Sequence, residues 1–238
     1  IGDLSLELDG NIYLDYEGQS VHLEDFFSGN FDTSVTSISN LLTAVVYFLT
    51  NNEFRNLGIH RIDLAVRASE EVKLSYLEKV WLDKYEASPG ERIQIKVYYR
   101  TFRGESVLQQ VEIYAPSLPS GSEFQIVVAD AESMHQIEMN QYRVGAFLPR
   151  SLSQLIRILS NLRKNNRIYF KIIASKPGLF LKGEEMPNLP PTMKSMFSSP
   201  RAAASYPTEL NKSTLSEYQL PIPYVFKGAA IIPIKIKK

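Results

Sequence analysis

The residue types that carry chemistry are few in this chain and widely spaced. Its three histidines, His22, His60 and His135, have no second ligand at metal spacing. A zinc-binding helix needs something like two histidines four apart with a glutamate between them, so no metal site is expected. Asp130-Ala131-Glu132 and Glu184-Glu185 are the nearest approach to paired carboxylates. Acid and base partners are assembled in space, so spacing leaves open a cryptic hydrolase that joins Asp130 and Glu132 to His135, or a calcium role for the carboxylates. The plainer reading makes Asp130 to Glu132 a solvated turn after a strand. Serines are plentiful, but no Gly-x-Ser-x-Gly elbow, phosphate loop or dinucleotide fingerprint occurs. With no cysteine at all, disulfides, thiolate nucleophiles and cysteine-ligated zinc are excluded. The expectation is a non-enzymatic chain with no cofactor.

Aromatic residues are the remaining candidates for function. Tyr76, Trp81, Tyr85, Tyr98, Tyr99 and Phe102 fall in two neighbouring strand-like segments. Exposed in a row, such rings suit a glycan or a peptide, because each offers an apolar body with a polar edge. Turned inward, they suit a sandwich core equally well. Both readings stay open, and exposure decides between them.

The elements that must position these groups are mostly strands. Leu4, Leu6 and Leu8 alternate with polar residues, Asp9-Gly10-Asn11 has hairpin-turn composition, and Ile12 and Leu14 resume the alternation before a second turn at Glu17-Gly18. Val35, Ile38, Leu41, Leu42, Val45 and Leu49 form a helical face, with N-cap types at Asp32, Thr33 and Ser34 and a stop at Asn51-Asn52. From Ile59 the period changes to two. Short alternating segments recur about every 10 residues through Val128, separated by Ser88-Pro89-Gly90, Arg103-Gly104 and the Pro116–Gly121 corner. Ser151-Leu152-Ser153-Gln154 then opens a second helix over 151–164 in capping-box form. Proline- and serine-rich residues 183–220 read as a long loop, and Tyr224 to Ile236 as one or two closing strands.

The fold class expected is therefore mainly β (α+β): an Ig-like antiparallel β-sandwich with two flanking helices and a small N-terminal β/α segment. Residues 1–57 form that segment, and 58–238 form the sandwich with its inserted helix 151–164 and loop 183–220.

Lysine plus arginine and aspartate plus glutamate number 26 each among 238 residues. The zero net charge gives no sign of a nucleic-acid partner, whose phosphates would call for a basic excess. No apolar run reaches a membrane span, since Leu41 to Leu49 is about half the needed length. Ile1-Gly2-Asp3 lacks an initiator methionine and a signal peptide, which suggests a piece of a longer protein.

Several segments together resemble one family. They are Asn56-Leu57-Gly58-Ile59-His60-Arg61-Ile62-Asp63-Leu64, Ser88-Pro89-Gly90-Glu91, Tyr99-Arg100-Thr101-Phe102-Arg103-Gly104-Glu105, Pro116 to Ile126, and Leu152 to Asn166 with Arg167-Ile168-Tyr169 after it. The chain looks like the C-terminal region of large secreted bacterial proteins, seen in acidobacteria and similar lineages, whose N-terminal part resembles SpoIVB-like serine peptidases. That peptidase part is recognised by a glycine-flanked histidine and a glycine-rich serine segment. No histidine here follows a glycine and no Gly-x-Ser-Gly occurs, so no catalytic residue carries over. The resemblance implies an extracytoplasmic (periplasmic or secreted) accessory module. Its partner would be the upstream domain of the same polypeptide or another envelope protein.

Overall fold

The N-terminal unit is built on one long strand. In the computed structural model, which describes residues 2–141, 149–175, 178–181, 184–186, 192–193, 208–210 and 212–237, β1 (Asp3–Leu14) runs straight through Asp9-Gly10-Asn11. The expected hairpin turn there is absent. Gly10 is instead a point of close approach: a Cβ on it would lie 2.5 Å from the Asp63 carbonyl oxygen. The turn falls at Glu17-Gly18, both with positive φ, and returns the chain as β2 (Ser20–Asn30). β1 pairs antiparallel with β2 on one side and with β3 (Ile59–Ser69) on the other. β3 was expected to open the sandwich. It belongs to the N-terminal sheet instead, so this unit extends past the expected boundary at residue 57.

Helix α1 (Phe31–Thr50) follows β2 directly, capped by Asn30, whose Oδ1 accepts from the Thr33 N–H at 2.7 Å. The cap therefore lies two residues before the first expected candidate. The helix packs on β1 and β2 through Ile38, Val45 and Leu49, and it stops at Asn51 as its sequence predicts. At 20 residues it is also long and apolar enough, by length and composition, to cross a membrane, twice the span expected from Leu41 to Leu49 alone. Here it lies against the sheet with Ser34, Ile38, Val45 and Leu49 buried.

The remaining strands form a two-sheet sandwich. One sheet has the order β14 (Val225–Lys227), β4 (Leu74–Leu82), β6 (Arg92–Thr101), β7 (Ser106–Tyr114). The other runs β13 (Ser213–Pro221), β9 (Arg167–Ala174), β8 (Glu123–Ala129), β15 (Ala229–Ile236), β5 (Glu86–Ala87). The pairings are antiparallel except β14 with β4 and β15 with β5, which are parallel and depart from the expected all-antiparallel arrangement. Alternate residues Ile93, Ile95, Val97 and Tyr99 meet Phe124, Ile126, Val128, Ile168, Phe170 and Ile172 between the sheets. Burying such a side chain contributes about 1.5–3 kcal/mol, so this layer dominates the sandwich's stability.

Two further elements differ from expectation. Asp130 to Glu132 is the start of a third helix, α2 (Ala131–Gln141), which covers the outer face of β8 and β9 through Met134, Val127, Ala129, Tyr169 and Ile173. Strands covered on both faces lose their alternation, which is why Phe124–Ala129 and Ile168–Ala174 read as nearly unbroken apolar runs. Within the expected loop 183–220, Ser213–Pro221 is the strand β13, paired with β9. The segments β10 (Gly178–Leu181), β11 (Glu184–Met186) and β12 (Thr208–Leu210) form a small sheet. Much of the rest of that loop lies outside the described residues.

Helix α3 (Leu152–Ser160) has the expected N-cap, with Ser151 Oγ accepting from Gln154 N–H at 3.2 Å, but its C-cap is Asn161, short of the expected residue 164. Its apolar stripe does not cover a sandwich edge. Leu152, Leu155, Ile156 and Leu159 pack with Ile12, Val21, Leu23, Val45 and Leu49 of the N-terminal unit. A helix inserted between two sandwich strands thus fastens the sandwich to the first sheet.

Candidate functional site

The outer face of the β4–β6–β7 sheet gathers half of the predicted aromatics. On β6 the inward set Ile93, Ile95, Val97 and Tyr99 forces Gln94, Lys96, Tyr98 and Arg100 outward. The register sets Tyr76 opposite Arg100, Lys79 opposite Tyr98, and Trp81 opposite Lys96. A bulge between Leu77 and Lys79 inserts Glu78 and keeps both aromatics of β4 on this face. Across the other edge of β6, Leu108 lies opposite Tyr98 and Tyr114 opposite Arg92. Tyr76 and Trp81 are each 50% exposed, and Tyr98 is intermediate.

The other three predicted rings lie elsewhere. Tyr99 is 1% exposed and packs edge-on against Tyr224 and Phe226 in the sandwich core, with centroids 6.3 and 5.9 Å away. Tyr85 is exposed between β4 and β5. Phe102 is exposed at the β6–β7 turn, where its N–H donates to the Leu74 carbonyl. Leu108 and Tyr114 were missed from sequence. Their signal was an apolar residue on the outward phase of β7, where Ser106, Gln110 and Glu112 are polar.

Cations are interleaved with these rings. The Lys79 ammonium sits 4.0 Å from the Trp81 ring centroid, a cation–π contact. Arg100 Nε donates to Glu78 at 2.5 Å and Arg92 to Glu112 at 3.0 Å. Four basic residues (Lys79, Arg92, Lys96, Arg100) therefore stand on this face against two acidic ones. The face is broad, aromatic and weakly positive, and it offers apolar contact with salt-bridge partners at its margins.

The groups weighed for catalysis are otherwise engaged. Asp130 caps α2: Oδ1 accepts from Ser133 N–H at 2.7 Å, while Oδ2 accepts from Ser133 Oγ and from the Gly228 N–H at 2.6 Å. Glu132 is exposed, 3.4 Å from Lys227 Nζ, and His135 lies exposed on α2. The Glu184 and Glu185 side chains lie outside the described residues. His22 and His60 are exposed beside Asp9 and Asp15. Among the described residues no three His, Asp or Glu side chains cluster as metal ligands would.

A second polar cluster joins the two units and has structural character. Asp25 on β2 is 8% exposed. Its Oδ1 accepts from Phe26 N–H and Asn165 N–H, both at 2.7 Å, and its Oδ2 from Asn165 Nδ2 at 2.9 Å. Burial pushes its carboxyl up to about 6, against the pull of those hydrogen bonds. Neighbouring Glu24 is held below the usual range by its hydrogen bond to Lys164. Deeper, Glu138 receives a two-pronged bond from Arg163 (2.6 and 2.8 Å) and pairs with Lys171. Burial opposes its ionisation, and these two cations more than offset that.

Compared with known proteins, the chain matches no family model, no curated protein and no solved structure.

Proposed function

We propose that this chain is a non-catalytic interaction module whose partner seats on the outer face of β4, β6 and β7. The observation that carries the reading is the row of exposed Tyr76, Trp81 and Leu108 with half-buried Tyr98 among them, lying beside Lys79, Lys96 and Arg100. Rings held on a rigid sheet offer large contact area at little conformational cost. Interleaved cations favour a protein surface that combines apolar and acidic groups. The family likeness supplies the setting: an exported bacterial protein in which this module supports or recruits partners for the upstream domain, or meets another envelope protein.

A glycan is the second reading, favoured by the same row of rings. The Lys79 ammonium over Trp81 counts against it, because a stacking sugar needs a ring face. Calorimetric titration of the chain with the purified upstream segment, and separately with soluble cell-wall and plant glycans, tests both. The protein reading expects binding to the upstream segment, weakened at least tenfold by Trp81→Ala or Tyr98→Ala with unfolding midpoints nearly unchanged. Binding to a glycan alone, or binding indifferent to both substitutions, overturns it.

A further inference from the structure

The outer edge of β3 is unusual for a surface strand. Among the described residues no strand pairs with it, and it is 11 residues long. Long open edges invite pairing with another chain, and proteins usually blunt them with proline, lysine or a bulge. Between Ile62 and Ala68 there is no proline and no lysine, and the only irregularity with β1 lies at the far end, opposite Tyr13 and Leu14.

The faces of β3 differ sharply. Ile62, Leu64, Val66 and Ala68 share the face of their β1 partners Ile12, Gly10, Leu8 and Leu6, where α1 packs. Leu8 and Ile12 are fully buried, yet Ile62, Leu64 and Val66 are 44%, 41% and 50% exposed. The helix covers β1 and β2 and leaves this strip bare. The opposite face carries Arg61, Asp63, Ala65 and Arg67.

We infer that β3 is a homodimer edge: two copies join antiparallel through β3 about a two-fold axis at Ala65, making one six-stranded sheet. Charge complementarity selects the occupant and, together with the length of strand overlapped, the register. A two-fold normal to the sheet maps each face onto itself, so the axis must pass through a residue. Centred on Leu64 it sets Arg61 against Arg67, and centred on Asp63 it sets two aspartates together. Centred on Ile62 it pairs Arg61 with Asp63 but overlaps only residues 59–65 of the strand, against 61–69 for an axis at Ala65. Centred on Ala65 it sets Asp63 against Arg67 twice, Leu64 against Val66 twice, and Ile62 against Ala68 twice. Opposite charges across a strand pair stabilise it and like charges oppose it. Arg67 is already drawn toward Glu7 at 3.5 Å and Arg61 toward Asp63 at 2.9 Å, so the new pairs extend an alternating charge ladder across the seam. On the other face the bare strip of one copy continues into that of the other, between the two α1 helices.

The chain has no cysteine, so the geometry is testable with single thiols on the full 238-residue chain. With the axis at Ala65, Ala65→Cys places two thiols opposite each other at about 5 Å between Cβ atoms, within disulfide reach after slight adjustment. Val66→Cys places its thiol opposite Leu64 and about 7 Å along the strand from its mate. The expected result is a dimer by sedimentation velocity at tens of micromolar, weakened tenfold or more by Asp63→Lys. Disulfide dimer should form far faster in Ala65→Cys than in Val66→Cys under mild oxidation. A monomer at every concentration overturns the inference. So does a dimer unaffected by Asp63→Lys, or one in which the two thiols cross-link at equal rates.

Discussion

Asp25→Asn should stabilise the protein at neutral pH and leave it little changed in acid. The carboxyl's value rises from 3.8 in the unfolded chain to about 6 in the fold. The folded state therefore holds that proton more tightly. Its stabilising effect is full below pH 3.8 and disappears as the pH climbs through about 6. Two units at about 1.4 kcal/mol each make this roughly 3 kcal/mol. The substitution removes the buried charge and little else. Both backbone N–H groups bond to one oxygen, Oδ1, which the amide retains. The new amide nitrogen replaces Oδ2 opposite Asn165 Nδ2, and turning the Asn165 amide over restores that bond. Urea unfolding from pH 4 to 8 is followed by far-ultraviolet circular dichroism and by the fluorescence of Trp81, the only tryptophan. It should show the stability difference between variant and parent growing by about 3 kcal/mol over that range. For a chain of this length, the shift amounts to roughly 6–12 °C in melting temperature. A difference that stays flat with pH, or shrinks as pH rises, would refute the reasoning.

Glu138→Ala should cost about 3–5 kcal/mol, because it removes the close carboxylate from Lys171, which is 4% exposed by its side chain and keeps Glu217 at 3.7 Å, and both bonds from Arg163. Replacing Glu138 and Lys171 together with Leu and Met should recover most of that loss in the same urea titration. Asp130→Ala should cost about 1–2 kcal/mol through the lost cap of α2. Hydrogen exchange should then quicken in α2 and at Gly228, whose N–H loses its acceptor.

The aromatic candidates show how far pattern reading reaches in this chain. Alternation alone makes Tyr98 and Tyr99 point in opposite directions. Which of the two is buried depends on where the second sheet lies, and that is absent from the local sequence. Trp81 and Tyr76 have the same outward phase only because a bulge at Glu78 corrects the register between them. Asp9-Gly10-Asn11 has turn composition, yet Gly10 answers to a crossing neighbour, Asp63, more than fifty residues away. Helix α2 was hidden because its apolar face is narrow and its cap, Asp130, looks like any acidic turn residue.

By itself the sequence determined the class of fold, the strand-and-turn rhythm of the sandwich, the cap at Ser151 and the end of α1 at Asn51. These follow from local chemistry: side-chain period, turn residues and hydrogen bonds within a few positions. Tertiary structure alone decided that β3 belongs with β1, that α3 fastens the sandwich to the first sheet, and that Glu138 of α2 meets Lys171 of β9. Those outcomes depend on which apolar faces find each other after the chain has turned back on itself. Amphipathic pattern says that a face must be covered, and only packing in three dimensions selects the element that covers it.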